Sequence, residues 1–306
     1  MAEIIATAES VEQAEQLLAA GVDQLYIGND DFGLRLPKSF SNEEIKTITK
    51  KAHENKKKVV IEVNGLMHNE HIERIRPYLR FLEEIGVDAL ALGDPGIVQI
   101  MRKEAINIPF IYDAQTLVTS SRQVNFWVKQ GAVGAVLARE LTWTELQKIA
   151  GQVDVPLEIL VYGATCIHHS KRPLLKNYFN YVGDTADKSK EGGLFLSEPK
   201  RKETHYSIYE DKNGTHIFAN DDVNLLPYLD QLFHTKLNRW KLDGIFTKGE
   251  SFVEIARLFV RAKEALERGA FTADFKLALN EQVMNLHPVE RSLNEGFYSK
   301  DPSEVQ

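Results

Sequence analysis

Polar side chains that could bind or transform a small molecule follow directly after short apolar runs in this 306-residue chain. In parallel α/β proteins such positions gather on one face, because the carboxyl ends of the strands meet there. Arg35 and Arg139 are the cations among them, and two guanidinium groups suit a carboxylate or a dianion. Each arginine could instead pair with a nearby acid such as Asp30 or Glu140. The other polar side chains at these positions are Asn64, Asp113, Gln115, Tyr162, Cys166, His168, His169 and Asp243.

Cys166 is the only cysteine of the chain, which excludes an intrachain disulfide and a metal site built from cysteines alone. Together with His168 and His169 it resembles half of a metal site. Adjacent side chains on an extended segment point in opposite directions, however, so we expect no metal here. A Cys–His nucleophile would need an activated thiolate, of which the sequence itself gives no indication.

The elements that must position these side chains alternate between strand-like and helix-like patterns. Short runs rich in β-branched residues are separated by amphipathic stretches, and eight units of this kind predict an α/β fold, a (β/α)8 TIM-like barrel over residues 1–270. A doubly wound sheet is the alternative, although no G-x-G-x-x-G motif follows the first run. The predicted strands are 3–8, 24–29, 58–64, 88–93, 109–114, 134–138, 156–162 and 239–245.

Helix boundaries support the same repeat. Gly21-Val22-Asp23, Gly86-Val87-Asp88 and Gly131-Ala132-Val133 each end a helical stretch and lead at once into a predicted strand. Glycine accepts the left-handed backbone that closes a helix, and the apolar residue after it turns the chain into the sheet. Asp94 is expected to cap the fourth helix rather than to act in catalysis.

The regular alternation stops between residues 163 and 238, which we interpret as an irregular insertion between the seventh and eighth units. Within it, a hairpin is predicted over Tyr206–Asn220 with Lys212-Asn213-Gly214 at its turn. Long insertions at the catalytic end of a barrel are usually functional. Residues 271–306 are expected to form a C-terminal tail that packs on the barrel or on a partner.

Composition sets limits on the environment and partners. The net charge is −7, so a purely electrostatic grip on nucleic acid is not indicated, although local basic runs leave tRNA possible as a partner. The first residues lack a basic region before an apolar core, so we expect no signal peptide. No apolar run approaches the ~20 residues that span a bilayer, so we expect a cytoplasmic protein without membrane association.

Several of these motifs resemble those of the collagenase-like peptidase family U32, over residues 3 to about 268. The most specific stretch runs from Tyr162 to Ile167, and the short Gram-positive members that accompany a longer paralogue are the most similar in appearance. The other matching positions are Tyr26-Ile27-Gly28, Asp31-Phe32, Arg35, Asn64, His68-Asn69, Asp94-Pro95-Gly96, Arg139-Glu140-Leu141, Ser170, Arg172, Leu174-Leu175 and Asn177-Tyr178.

The resemblance implies a redox cofactor that this chain cannot hold alone. Family members of the hydroxylase type use four cysteines to bind an iron–sulfur cluster, and only the first of them matches a cysteine here, Cys166. Pro173, Leu196 and Lys200 stand at the other three positions and cannot ligate iron. The family's Glu-Gly-Arg at the eighth strand is Asp243-Gly244-Ile245 here. We therefore expect no cofactor in this chain, and a cluster only in a cysteine-bearing paralogue.

Three functions remain open from the resemblance. The first is a subunit of a tRNA hydroxylation system that forms 5-hydroxyuridine at the wobble position with that paralogue, in a prephenate-dependent reaction. The second is a peptidase. The third is a barrel that only binds a small molecule or a protein. The resemblance gives catalytic roles to Arg139, Glu140 and Cys166. It gives substrate-binding roles to Arg35, Asn64, Asp113, Gln115, Tyr162, His168, His169, Arg172 and Asn177.

Overall fold

The computed structural model describes residues 2–304, apart from the side chain of Thr116. Met1, Val305 and Gln306, at the ends of the predicted barrel and tail ranges, lie outside the described residues. The strands are β1 Glu3–Thr7, β2 Gln24–Gly28, β3 Lys58–Glu62, β4 Ala89–Leu92, β5 Phe110–Tyr112, β6 Ala132–Val136, β7 Leu157–Ser170, β8 Phe195–Glu198, β9 Arg201–Asp211, β10 Gly214–Asn224, β11 Arg239–Leu242 and β12 Ser292–Asn294.

Helices alternate with these strands over most of the chain. None of the helices in the described part is long and apolar enough to cross a membrane. Their bounds are α1 Val11–Ala19, α2 Asn42–Glu54, α3 Asn69–Ile85, α4 Pro95–Lys103, α5 Ser121–Lys129, α6 Trp143–Ala150, α7 Leu174–Val182, α8 Leu229–Phe233, α9 Gly249–Glu267 and α10 Ala273–Leu286.

Eight parallel strands close into a barrel. β1 pairs with β11 on one side and with β2 on the other, and the pairing continues in chain order to β7, which pairs back to β11. The predicted (β/α)8 barrel is therefore confirmed, and each predicted run overlaps one barrel strand. The apolar residues of these strands lie between the barrel and its outer helices, where burial from water stabilises both layers.

The glycine repeat works as predicted at the amino end of the barrel. Gly21, Gly86 and Gly131 have φ of 99°, 74° and 94°, in the left-handed region that glycine accepts without strain. The acid that follows two of these glycines then bonds to a strand. Asp23 Oδ2 accepts a hydrogen bond from the Ile4 N–H at 2.9 Å, and Asp88 Oδ2 accepts one from the Val59 N–H at 2.8 Å. The repeat thus ties each helix end to the strand beneath it.

The insertion is more regular than predicted, because it extends the wall of the barrel. β7 continues from its predicted end at 162 to Ser170, and β10 pairs antiparallel with this extension. β9 and β8 add further antiparallel strands. The hairpin predicted over Tyr206–Asn220 is present as β9 and β10, which meet at Lys212-Asn213. One strand therefore belongs both to the barrel and to the antiparallel sheet above it.

The C-terminal segment packs on the barrel. β12 pairs in parallel with β10, and Arg291 donates to Asp222 Oδ1 from its Nε at 2.9 Å, with both side chains buried. The Tyr298 ring lies 5.3 Å from that of Trp143 on α6. Through these contacts the C-terminal segment connects the insertion to the barrel.

Candidate functional site

A cleft with both apolar and polar side chains opens at the carboxyl ends of the barrel strands, between the loops after β2 to β5 and the β7 extension. Its volume is about 610 Å³, enough for a metabolite or a single nucleobase with its sugar. A cavity of about 40 Å³ lies below it, toward the barrel interior. The side chains shared by cleft and cavity are those of Leu34, Arg35, Asn64, Asp113, Gln115 and Cys166.

Arg35 and Gln115 lie on opposite sides of this cleft and are hydrogen-bonded to each other. Both have left-handed backbones, with φ of 54° and 58°, which is uncommon for residues other than glycine. The Arg35 guanidinium donates to Gln115 Oε1, and the Gln115 amide donates to Asp113 Oδ2 at 3.2 Å. Asn64 Nδ2 donates to the same Asp113 oxygen at 2.8 Å. The Arg35 guanidinium is thus paired with a neutral amide. The alternative pair of Arg35 with Asp30 is not formed, because the carboxylate of Asp30 pairs with Lys212 instead.

Arg139 lies across the cavity on the loop after β6. Its guanidinium donates to the Ala164 carbonyl at 2.6 Å and lies 3.5 Å from Asp243 Oδ2. The alternative pair with Glu140 is not made either, because Glu140 is exposed and lines neither space. Two guanidinium groups therefore face one cavity, and only one of them has a carboxylate partner among the described residues. The Arg35 guanidinium is thus open to an anionic ligand, beside the carboxylates of Glu62, Asp113 and Asp243 that line the same cavity.

Cys166 lies on the β7 extension, half-buried, where cleft and cavity meet. Its thiol donates to the His168 carbonyl, with 3.2 Å between Sγ and the oxygen. Burial alone would raise the pKa of this thiol, but the nearby His216 ring and the charges of Arg35 and Arg139 hold it below its usual value. The environment therefore makes the thiolate, the nucleophilic form of cysteine, more accessible than it is in a free cysteine.

His216 was not among the predicted site residues, yet it lies between Cys166 and an acid. It is fully buried on β10, and its Nε2 lies 3.0 Å from Asp211 Oδ1. The His169 ring stacks on it, with centroids 4.6 Å apart and planes within 5°. Although burial opposes protonation, Asp211 and Cys166 raise the pKa of His216. No metal-like spacing marks this histidine; the one signal in the sequence is that Asp211 and His216 flank the predicted hairpin turn.

Charged groups also form the floor below the cavity. Lys241 Nζ lies 3.1 Å from Glu62 Oε1 and 3.7 Å from the centre of the Tyr26 ring. Both charges are almost fully buried, and the ammonium is neutralised by its carboxylate partner. Burial raises the pKa of Glu158, whose two oxygens make no hydrogen bond with any other described residue. Glu62 and Lys241 line the cavity itself, whereas Glu158 is not part of its lining.

The remaining predicted site residues fall into two sets. His168 and His169 line the cleft with Cys166. Tyr162 faces outward instead, where its hydroxyl lies 2.7 Å from His287 Nδ1 of the C-terminal segment and 2.9 Å from Thr247 Oγ1. The members that line neither space are Glu140, Tyr162, Arg172 and Asn177. Asp94 caps α4 as predicted, by accepting from the Gly96 N–H at 2.6 Å.

The donor set does not fit a four-cysteine iron–sulfur cluster. Pro173 lies at the start of α7, Leu196 lies on β8, and Lys200 lies at the turn that follows it. None of these side chains offers a thiolate. Among the residues that the structure describes, no group of three or more histidines, cysteines or acids is arranged to hold a metal ion.

Fold and site together define a TIM barrel with an anion-accepting cleft, one wall of which is an antiparallel extension of the seventh strand. The chain belongs to peptidase family U32, whose family model matches residues 9–306. A U32 peptidase of known structure shares the fold, with a TM-score of 0.52 and 15% identity over 82% of this chain and 94% of that one.

Relatives of known name extend the comparison along the whole chain. tRNA hydroxylation protein P2 of Bacillus subtilis is 33% identical over 98% of both chains. tRNA hydroxylation protein P of Escherichia coli is 25% identical over 96% of this chain and 74% of its own length. Bacillus subtilis also has tRNA hydroxylation protein P1, which is 26% identical over 79% of this chain and 58% of its own length.

Proposed function

We propose that this chain is a subunit of a tRNA hydroxylation system. In this proposal it acts in the cytoplasm with a cysteine-bearing paralogue to form 5-hydroxyuridine at the wobble position, and it binds a carboxylate-bearing small molecule, prephenate, in its cleft. The observation that carries the proposal is the 33% identity to tRNA hydroxylation protein P2 along nearly the full length of both chains.

A paralogue partner is supported by the relatives. The names P1 and P2 belong to two proteins of one organism, Bacillus subtilis, and both are similar to this chain. A division of labour follows from the donor sets, because one cysteine cannot hold a four-cysteine cluster. We infer that the paralogue supplies the redox chemistry and that this barrel supplies a binding site.

A carboxylate ligand is supported by the cleft. Arg35 bonds to a neutral amide, so its charge is available to a ligand. Arg139 lines the cavity of about 40 Å³ below the cleft but not the cleft itself, so Arg35 is the guanidinium that a carboxylate in the cleft would meet. Asn64 and Gln115 are held through Asp113, which fixes the amides that would orient such a ligand. Hydrogen bonds to charged groups contribute ~1.5–3 kcal/mol each, so loss of Arg35 should weaken binding roughly 10- to 100-fold.

The test is mass spectrometry of tRNA nucleosides from a strain that lacks this chain, with backup hydroxylation pathways removed. We expect 5-hydroxyuridine derivatives to disappear, to return with the wild-type chain, and to stay low with Arg35→Ala. Arg257→Ala is the matched control, because Arg257 is exposed on the outer helix α9 and pairs only with its neighbour Glu254 among the described residues. An unchanged nucleoside profile in the deletion strain would refute the proposal.

A further inference from the structure

Three side chains on neighbouring strands lie beside the cleft. Cys166 lines the cleft from β7, His216 lies on β10, and the Nε2 of His216 lies 3.0 Å from Oδ1 of Asp211 at the end of β9. His216 is fully buried, and its other ring nitrogen, Nδ1, makes no aligned hydrogen bond with another described residue. Phe218, two residues along β10 from His216, pairs with Cys166. Cys166 also packs against the cluster that contains Tyr209, whose ring lies 4.9 Å from the His216 ring. A buried, unpartnered ring nitrogen beside a thiol is suited to take its proton.

We propose that Cys166, His216 and Asp211 form a nucleophilic relay that adds the Cys166 sulfur to C6 of a uracil ring bound in the cleft. The choice of a pyrimidine rests on the proposed function, in which a uridine is the substrate. The relay itself rests only on the geometry of the three side chains.

The step balances without an oxidant. The thiol proton moves to His216 Nδ1, the sulfur forms a bond to C6, and the electron pair of the C5–C6 double bond moves to C5 and the O4 carbonyl. His216 then returns a proton to C5, so that S–H has been added across the double bond. Asp211 stabilises the imidazolium between these two transfers. Reversal, with loss of either hydrogen from C5, exchanges the C5 hydrogen for one from solvent.

In the enolate that forms before this protonation, C5 of the uracil ring is nucleophilic. C5 is also the carbon that carries the hydroxyl group of 5-hydroxyuridine. The negative charge that develops on the ring lies several atoms from the sulfur, so cations at a distance from the thiol can stabilise it. Arg139 lines the same cavity as Cys166 and provides such a cation, while Arg35 remains with the carboxylate ligand of the proposed function. Acyl transfer would instead need donors directly beside the sulfur, at the carbonyl that it attacks.

Other titratable groups face the relay and enter its pH dependence. His169 stacks on the His216 ring, and the Tyr209 ring lies 4.9 Å from it. Asp243 lines the cavity with Cys166. The further groups that act on Cys166 or His216 are Arg35, Arg139 and Asp211.

The relay can be tested without RNA, because Cys166 is the only cysteine and alkylation of the chain reports on it alone. The rate of modification by iodoacetamide is measured against pH. We expect the wild-type midpoint to lie below the ~8.5 of a free thiol, and His216→Gln to raise it by about one unit or more. Asp211→Asn, which preserves volume, should shift it in the same direction by less. His234→Gln, at an exposed position, is the control. Equal midpoints in all four proteins would overturn the relay.

Addition to uracil is tested with a tRNA transcript that carries deuterium at C5 of its uridines, incubated with this chain and its paralogue. We expect loss of deuterium with the wild type, at least a tenfold slower loss with Cys166→Ser, and an intermediate rate with Asp211→Asn. Exchange that persists in Cys166→Ser would overturn the proposal. So would absence of exchange in the wild type, or thiol-sensitive cleavage of gelatin by the pure protein, which would assign the relay to acyl transfer.

The two proposals fail in different ways. Full restoration of 5-hydroxyuridine by Cys166→Ser in the deletion strain would remove the relay from the reaction and leave the hydroxylation function standing. An unchanged nucleoside profile in the deletion strain, together with a lowered thiol midpoint, would refute the hydroxylation function and with it the assignment to uracil.

Discussion

Glu158 is the most isolated acid of the barrel interior. Both of its oxygens are buried without a hydrogen bond to another described residue, and the nearest cation, Arg239, lies 3.7 Å away. Burial raises its pKa, with Lys241 and Arg239 acting in the opposite direction. Protonation is therefore favoured in the folded chain over the unfolded chain. A barrel floor of this kind gains stability when its acid carries a proton.

The stability of Glu158→Gln should accordingly depend on pH. The folded protein keeps the proton of Glu158 in a pH range where the unfolded chain has lost it, so wild-type stability falls as pH rises from about 4.3 to the folded pKa. Glutamine does not ionise, so it removes this pH-dependent contribution to the free energy of unfolding. We expect the stability of the variant to rise relative to that of the wild type as pH rises, by on the order of 1 kcal/mol for each unit of pKa difference. Urea unfolding at several pH values measures this.

Glu84→Gln is the control for Glu158→Gln, because Glu84 is exposed on α3. Its difference from the wild type should stay nearly constant with pH. A Glu158→Gln difference that is equally constant would show that the carboxyl of Glu158 has the same pKa in the folded and unfolded states.

At the scale of elements, a buried ion pair contributes to holding the C-terminal segment on β10. Arg291 reaches Asp222 of β10, the Ser207 hydroxyl at 2.6 Å and the Ala219 carbonyl at 3.0 Å. Removing one partner of a buried pair leaves the other charge desolvated, which usually costs about 3–5 kcal/mol. Arg291→Ala should lower the free energy of unfolding by this amount and expose the C-terminal segment to proteases.

Arg268→Ala provides the comparison for the ion pair of Arg291. Arg268 pairs with Glu264 on the exposed face of α9, where such pairs contribute roughly 0.3–0.5 kcal/mol. Denaturant unfolding and limited proteolysis of both variants separate the two cases. Equal, small effects would mean that the segment is held by its apolar contacts instead, such as that of Tyr298 with Trp143.

The elements of the barrel could be predicted because their signals are local. Runs of β-branched residues and glycines such as Gly86 act within a few positions, and all eight strands were located from them. The site is a different case. Arg35 meets Gln115 only because two loops with left-handed backbones cross the barrel mouth. His216 comes near Cys166 only through the register of an antiparallel pair in which Phe218 lies opposite Cys166, 52 positions away in sequence (218 − 166). Periodicity carries no information on that register.

At the scale of the whole molecule, charge and function point to a partner. A chain with a net charge of −7 is repelled by the phosphates of tRNA unless basic groups are concentrated elsewhere. We expect the chain alone to bind tRNA weakly, and a complex with its cysteine-bearing paralogue to bind it at least tenfold more tightly. Size-exclusion chromatography of the co-expressed pair and filter binding of tRNA at fixed salt measure the two steps.

The control for complex formation is co-expression with an unrelated TIM barrel, which should elute separately. Separate elution of the paralogue as well, at micromolar concentrations, would contradict a stable complex. Equal tRNA binding by the chain alone and by the mixture would contradict the role of the partner in RNA binding.

The continuity of β7 has a mechanical consequence. In many barrels the catalytic loops are joined to the strands by hinges, and they open and close while the barrel stays still. Here the strand that carries Cys166 runs from Leu157 to Ser170, and β10 pairs with it on both sides of Cys166, with register shifts between Ile217 and Phe218 and between Phe218 and Asp222. Cys166 is therefore held by strand pairing rather than by a hinged loop. The loops after β2 to β5 form the opposite rim of the cleft.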